Sequence, residues 1–188
     1  MGYFPLCVDL SGKTVILVGG GAQIRDKAER LRPFHPHMVF LDDLTDADLE
    51  DRPACVIVGD RHRSQAEAIA GLCSKRNIPV NVVDVPELCT FFFPSLIQRG
   101  ELTVSVSTGG KNPTAAAYLR RHIEHEIPDR SEEILDSLAD FRLKLRAVCP
   151  SGGYREVLNK AVSMAFSRNR PLTEAECSRL MECKGISV

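Results

Sequence analysis

The stretch KTVILVGGGAQIRDKAERLRPF joins a continuous β-branched and apolar run, Thr14 to Val18, to three consecutive glycines and then to a segment with helical spacing. A run with no polar alternation reads as a strand buried on both faces. Glycine lets the chain turn sharply out of such a strand, here into a helix beginning near Ala22. The same alternation continues downstream. HMVFLDD is a second strand candidate and ACVIVGD a third, SQAEAIAGLCSKRN is a helix with apolar residues three and four apart, and IPVNVVD is a fourth strand. Strands alternating with helices predict a mainly parallel sheet covered on both faces.

The pattern changes after Asp84. LTVSVST alternates apolar and polar positions, so one face of that strand is expected to be wet or paired at an interface. Pro113 then opens the helix TAAAYLRRHIEHEI, as a first-turn proline suits. From about Ser131 the chain reads as helices only: SEEILDSLADFRLKLRAV, YREVLNKAVSMAFSR and TEAECSRLMECKG, with Pro150 and Ser151-Gly152-Gly153 separating the first two. The fold class is therefore α/β: a Rossmann-like parallel sheet domain over residues 1–85, a segment over 86–128 that carries the alternating strand, and an all-helical C-terminal domain over 129–188.

Composition narrows the functional classes. A net charge of −1 over 188 residues offers no basic excess for nucleic acid or an anionic membrane surface. The apolar runs TVILVG and ACVIVG fall far short of the roughly 20 residues that span a bilayer. The amino terminus lacks a basic region followed by an apolar core, which gives a cytoplasmic expectation. Seven cysteines, with no CxxC pair, suit free thiols in a reducing compartment and offer no structural zinc site. His122 and His125 in HIEHE share a helix face, but the motif is neither HExxH nor HxxEH. It reads as a charged solvent face, and no metal site is expected.

Two features carry chemistry. Gly19, Gly20 and Gly21, followed by Ala22 and Gln23 at the helix start, suit a dinucleotide: the backbone approaches the pyrophosphate, and the helix amino terminus offers free N–H groups. The third small position of such a turn is here Ile24. The ribose-binding acid, expected about 20 residues on, is Asp42 or Asp43. The alternative is a tight turn with no ligand. The second feature is NVVDVPELCTFFFPS, in which Asp84 ends a short strand, where a parallel sheet opens its ligand crevice. An ordinary turn carboxylate is the alternative there.

The segments DLSGKTVILVGGG, KAERL, NVVD followed by FFFPSLIQRGELTVSVSTGGKNP, and the helical tail together resemble the precorrin-2 dehydrogenase family, which includes the amino-terminal module of sirohaem synthase. The similarity is densest between Asn81 and Pro113. It implies NAD-dependent oxidation of precorrin-2 to sirohydrochlorin by a homodimer, and in some members ferrous iron insertion as well; it also makes residues 1–85 a shortened NAD-binding Rossmann-like domain and residues 86–128 a dimerisation and substrate segment. The resemblance assigns Asp84 to both reactions. It puts NAD against Gly19 to Gln23, Asp42, Gly59 and Asp60, and the tetrapyrrole against Ser107, Thr108, Gly109, Gly110 and Lys111, with Thr108 in place of a family serine. The chain departs from the family in being about a strand and a helix shorter before ACVIVGD, and in having VGDR for ATDD, which keeps Asp60 and loses a threonine. A protein that keeps the fold and binds a tetrapyrrole or partner without catalysis is the rival from another class.

On this reading Asp84, partly desolvated by apolar neighbours, would have a raised pKa and accept a proton. Phe91 to Phe93 would line its pocket, with at least one of them packing in the core or dimer interface. Arg61, His62, Arg63, Arg99, Lys111, Arg120 and Arg121 are candidate partners for substrate carboxylates, although each singly reads as a solvated charge. The Thr108-Gly109-Gly110 turn is the stronger anion candidate.

Overall fold

The computed structural model describes residues 4–149 and 153–182. Pro150, Ser151, Gly152 and one of the seven cysteines, Cys183, lie outside the described residues. The chain divides into two compact units, Met1–Phe93 and Pro94–Val188.

In the first unit β1 (Thr14–Val18), β2 (His37–Leu41), β3 (Cys55–Val58) and β4 (Val80–Val82) form a sheet in the order β2-β1-β3-β4, every neighbouring pair parallel. The apolar runs of β1 and β3 are buried on both faces because they are the two inner strands. Each fully buried Val, Ile or Leu there stabilises the unit by about 1.5–3 kcal/mol. Side chains alternate across the pleat. Ile16, Val18, Val56, Val58, Val80 and Val82 pack on α2 (Arg63–Arg76), through Ala66, Ile69, Ala70 and Cys73. Val15, Leu17, Cys55 and Ile57 pack on α1 (Gly21–Leu31), through Ile24, Ala28 and Leu31. The sheet is thus covered on both faces, as the alternation predicts.

β1 continues to β2 on one side and the chain then crosses to β3 on the other, so the strand order reverses between β1 and β3. Sheets of this kind bind ligands beyond the carboxyl ends of the strands at such a reversal. The free edge of β4 is covered by the chain doubling back: Thr90 N–H donates to the Val80 carbonyl at 2.8 Å, and Val80 N–H donates to Thr90 Oγ1 at 2.8 Å.

The second unit opens with a hairpin, β5 (Ser95–Arg99) and β6 (Leu102–Val106), paired antiparallel from Ser95↔Val106 to Arg99↔Leu102. Only β6 is anticipated above. The signal for β5 is the two-residue Gly100-Glu101 loop, whose glycine has φ +56°, the conformation that tight hairpins favour at the first loop position. α3 (Pro113–Glu126) packs on this hairpin. α4 (Ser131–Val148), α5 (Arg155–Ser167) and α6 (Glu174–Glu182) enclose a separate core of Ile134, Leu138, Phe141, Leu145, Val157, Ala161 and Ala165. The helical C-terminal part agrees with the sequence reading.

Candidate active site at the carboxyl ends of the strands

Three strand ends build the site. After β1, Gly19 has φ +103°, and a Cβ placed on it would collide with the Gly59 carbonyl. Gly21 has φ +77°, with the Asp60 carboxylate 3.3 Å from where its Cβ would sit. Between them, Gly20 is extended and has open space at the Cβ position, and it caps α1 with no side-chain hydrogen bond. α1 has no acidic residue in its first turn. Free helix N–H groups, a positive dipole end and an unfilled backbone approach are what a phosphate requires, so these residues fit a dinucleotide.

Ile24, at the position where the turn motif prefers a small residue, is 2% exposed. The space comes from the opposite strand: a Cβ on Gly59 would lie 3.0 Å from Cδ1 and Cγ1 of Ile24. The close helix–strand approach survives with the glycine moved from α1 to the end of β3.

Asp60 and Asp84 each stand two residues beyond a strand, at φ +54° and +62°. Aspartate is among the few residues that adopt this left-handed conformation readily. The Asp84 loop is fixed from beneath. Cys89 Sγ accepts from Val82 N–H at 3.2 Å and donates to the Val82 carbonyl at 3.1 Å, while the buried Asn81 donates through Nδ2 to the Phe91 carbonyl at 2.9 Å. Burial pushes the Cys89 thiol above its ordinary pKa, so it serves here as a neutral clamp.

Gln23, Gly59, Asp60 and Asp84 line one cleft of about 520 Å³, together with Val58, Arg61, His62, Gln65, Ala66, Val82, Val83 and Val85. Gln23 Nε2 donates to Asp84 Oδ2 at 2.7 Å. Arg61 donates to the main-chain carbonyls of Asp60, at 3.1 Å, and of Asp42, joining the ends of β2 and β3. The Asp42 side chain is exposed at the end of β2.

Three expectations change. Asp84 is exposed rather than enclosed, although Val58, Val82, Val83 and Val85 share its cleft. Phe91 and Phe93 are not among the cleft residues; they pack against the α1-side core, with ring centroids 5.6 Å apart. Several of the cations proposed for substrate carboxylates already have protein partners. Arg63 pairs with Glu67 and Glu87 at 2.8 Å each, Arg99 with Asp129 at 3.5 Å, and Arg120 with Glu124 at 2.5 Å.

Lys27 was not anticipated. Its ammonium lies 5.0 Å from the Phe93 ring centroid and 3.7 Å from Asp26, in a second cleft shared with Ala22, Gln23 and Val83. Burial lowers its pKa, assisted by Arg30, while Asp26 and Asp84 act in the opposite sense. Its position four residues after Gln23, on the same helix face, is the available sequence signal.

In the second unit, the Ser107–Lys111 turn is held internally. Gly109 N–H donates to Ser107 Oγ at 3.2 Å, Lys111 N–H to the Thr108 carbonyl at 3.2 Å, and Asn112 N–H to Thr108 Oγ1 at 3.2 Å. Gly109 and Gly110 have φ +61° and +79°. His122 stacks on Tyr118 with centroids 4.4 Å apart. Among the described residues no group of three His, Cys, Asp or Glu side chains is arranged to hold a metal, and no helix is long and apolar enough to cross a membrane.

Comparison with known proteins agrees with this architecture. A family model described as "Putative NAD(P)-binding" matches residues 40–95, and one described as "Sirohaem biosynthesis protein central" matches residues 99–126. The sirohaem synthase of Thioalkalivibrio sulfidiphilus is 33% identical over 171 residues, covering 80% of this chain and 35% of that protein. That of Pseudomonas aeruginosa (strain LESB58) is 31% identical over 205 residues, covering 97% and 44%. The chain spans less than half the length of these relatives. The solved structure of "SirC, precorrin-2 dehydrogenase" shares the fold, with a TM-score of 0.64 at 13% identity over 96% of this chain and 98% of that one. With 31% identity to the Pseudomonas aeruginosa protein over 97% of its length and both family models matching in succession, the chain belongs to the precorrin-2 dehydrogenase family, which includes the amino-terminal module of sirohaem synthase.

Proposed function

We propose that this chain oxidises precorrin-2 to sirohydrochlorin with NAD as acceptor. The observation that carries the reading is the meeting of the glycine turn and Asp84 at one end of the sheet, joined by a 2.7 Å hydrogen bond from Gln23. The oxidation removes two hydrogens from the macrocycle, one as hydride and one as a proton. A bound nicotinamide supplies the hydride acceptor. Asp84, on the rim of the cleft and open to solvent, takes the proton and can pass it to water.

Gly19, Gly20, Gly21, Ala22 and Gln23 hold the pyrophosphate side of the cofactor in this proposal, and Gly59 and Asp60 the adjoining strand end. Asp42 receives the adenosine ribose, which favours NAD over NADP. Ser107, Thr108, Gly109, Gly110 and Lys111 contact the tetrapyrrole carboxylates. Tyr118, Leu119 and Ile123 are exposed on α3. With the alternating β6 they would form the face of a homodimer. A cytoplasmic setting suits the described cysteines, which are free thiols.

The test is anaerobic incubation of the purified protein with precorrin-2 and NAD+, following NADH and sirohydrochlorin spectrally, with Asp84→Asn and an NADP+ arm alongside. Wild type should turn over with NAD+. Asp84→Asn, folded and binding NADH normally, should lose on the order of 100-fold or more in kcat. A wild-type protein that binds neither dinucleotide would hand the lead to the non-catalytic binding reading.

A further inference from the structure

The expected desolvation does not constrain Asp84, so something else must orient an exposed carboxylate. Its side chain could otherwise occupy several staggered wells. Among the described residues, the side chain hydrogen-bonded to it is Gln23, from the first turn of α1, sixty-one positions away in sequence. Lys27 is near enough to feel the Asp84 charge, but its ammonium is engaged with Asp26 and the Phe93 ring. Gln23 lines both clefts and stands between them. It is exposed, so no need to satisfy a buried amide explains its contact.

We propose that Gln23 is a positioning residue: its carboxamide holds the Asp84 carboxylate in the orientation from which it accepts the substrate proton. This rests on the reading of Asp84 as proton acceptor. The amide orientation follows from charge, because Oε1 turned toward the carboxylate would oppose two acceptors, whereas Nε2 makes a charge-assisted hydrogen bond. Gln23 also belongs to the first turn of α1, directly after the glycine turn. One side chain therefore ties the orientation of Asp84 to the helix end that fits a phosphate.

Three variants test this. Gln23→Met keeps length and bulk but removes the donor. Gln23→Glu places an acceptor of like charge against Asp84. Gln23→Asn keeps the amide on a shorter arm. At saturating NAD+ and with Tm unchanged, Gln23→Met should lose about tenfold in kcat, with KM for precorrin-2 within about twofold. Its solvent isotope effect on kcat should rise as proton transfer becomes limiting. Gln23→Glu should fall below Gln23→Met, and Gln23→Asn should recover little. A readout that needs no turnover is the side-chain amide pair of Gln23 in a 15N–1H spectrum, assigned as the pair missing from Gln23→Met. Asp84→Ala should move that pair upfield. Gln23→Met turning over like wild type, or an amide pair indifferent to Asp84→Ala, would overturn the proposal. If wild type fails to oxidise precorrin-2, the functional reading falls and the catalytic role with it, while the amide shift still reports whether the link exists.

Discussion

Two glycine turns in this chain lead from a strand into a helix, and they finish the helix in opposite ways. Before α3, Asn112 accepts from Ala115 N–H at 2.9 Å as an N-cap, Pro113 has no N–H to satisfy, and the turn's own hydroxyls take the N–H groups of Gly109 and Asn112. Before α1, glycines supply no cap and leave the helix end open, with open space at the Gly20 Cβ position. A helix leaves its first N–H groups without internal partners. At α3 the chain provides partners itself; at α1 it leaves them to a ligand or to water. Glycines alone therefore do not mark an anion site, and whether the chain caps its own helix is the better discriminator.

The sharpest way to break this comparison is Gly19→Ala. Its left-handed φ and the collision with the Gly59 carbonyl leave the first turn no room to relax. A destabilisation of at least about 3 kcal/mol is expected, measured by denaturant unfolding. A mild effect would mean that the turn tolerates another conformation and is not a fixed cradle.

Gly59→Ala comes next. Its methyl would press on Ile24 at 3.0 Å, costing about 1–3 kcal/mol. Removing the contacting Cδ1 with Ile24→Val should relieve part of that. The double-mutant cycle should show coupling of at least about 0.5 kcal/mol. Additive effects would mean that Gly59 does not stand in for the missing small residue of α1.

The parts of this site that were legible in the sequence are those fixed locally. β1 and β3 read correctly because a strand covered on both faces is apolar throughout, and the place of Asp84 at the cleft was legible because it follows β4 by two residues. β5 was missed because Leu96 and Ile97 are adjacent, which breaks the period of two, leaving only Gly100-Glu101 to announce the hairpin. The exchange between Ile24 and Gly59 depends on two elements meeting across the sheet, and the Gln23–Asp84 bond on a turn and a strand end brought together by the fold. The expected cations divide for a related reason: Arg61 and His62 line the cleft, whereas an arginine's nearest acid, such as Glu87 for Arg63, is set by the fold.

The remaining two predictions test the helix ends directly. Asn112→Ala removes the cap of α3 and should cost about 1 kcal/mol, leaving dinucleotide affinity unchanged. Gly20→Ser does the converse at α1. Its extended backbone accepts a side chain without strain, and the new hydroxyl can reach the free N–H of Ala22 or Gln23. Stability should rise by a few tenths of a kcal/mol at most, roughly the margin by which serine exceeds glycine as a cap. NADH affinity, followed by its fluorescence, should nevertheless fall about tenfold, or about 1.4 kcal/mol, because the hydroxyl takes N–H groups the phosphates need and fills the approach to them. Should Gly20→Ser bind NADH as wild type does, the open end of α1 would not be what holds the cofactor, and the contrast with α3 would be one of helix capping alone.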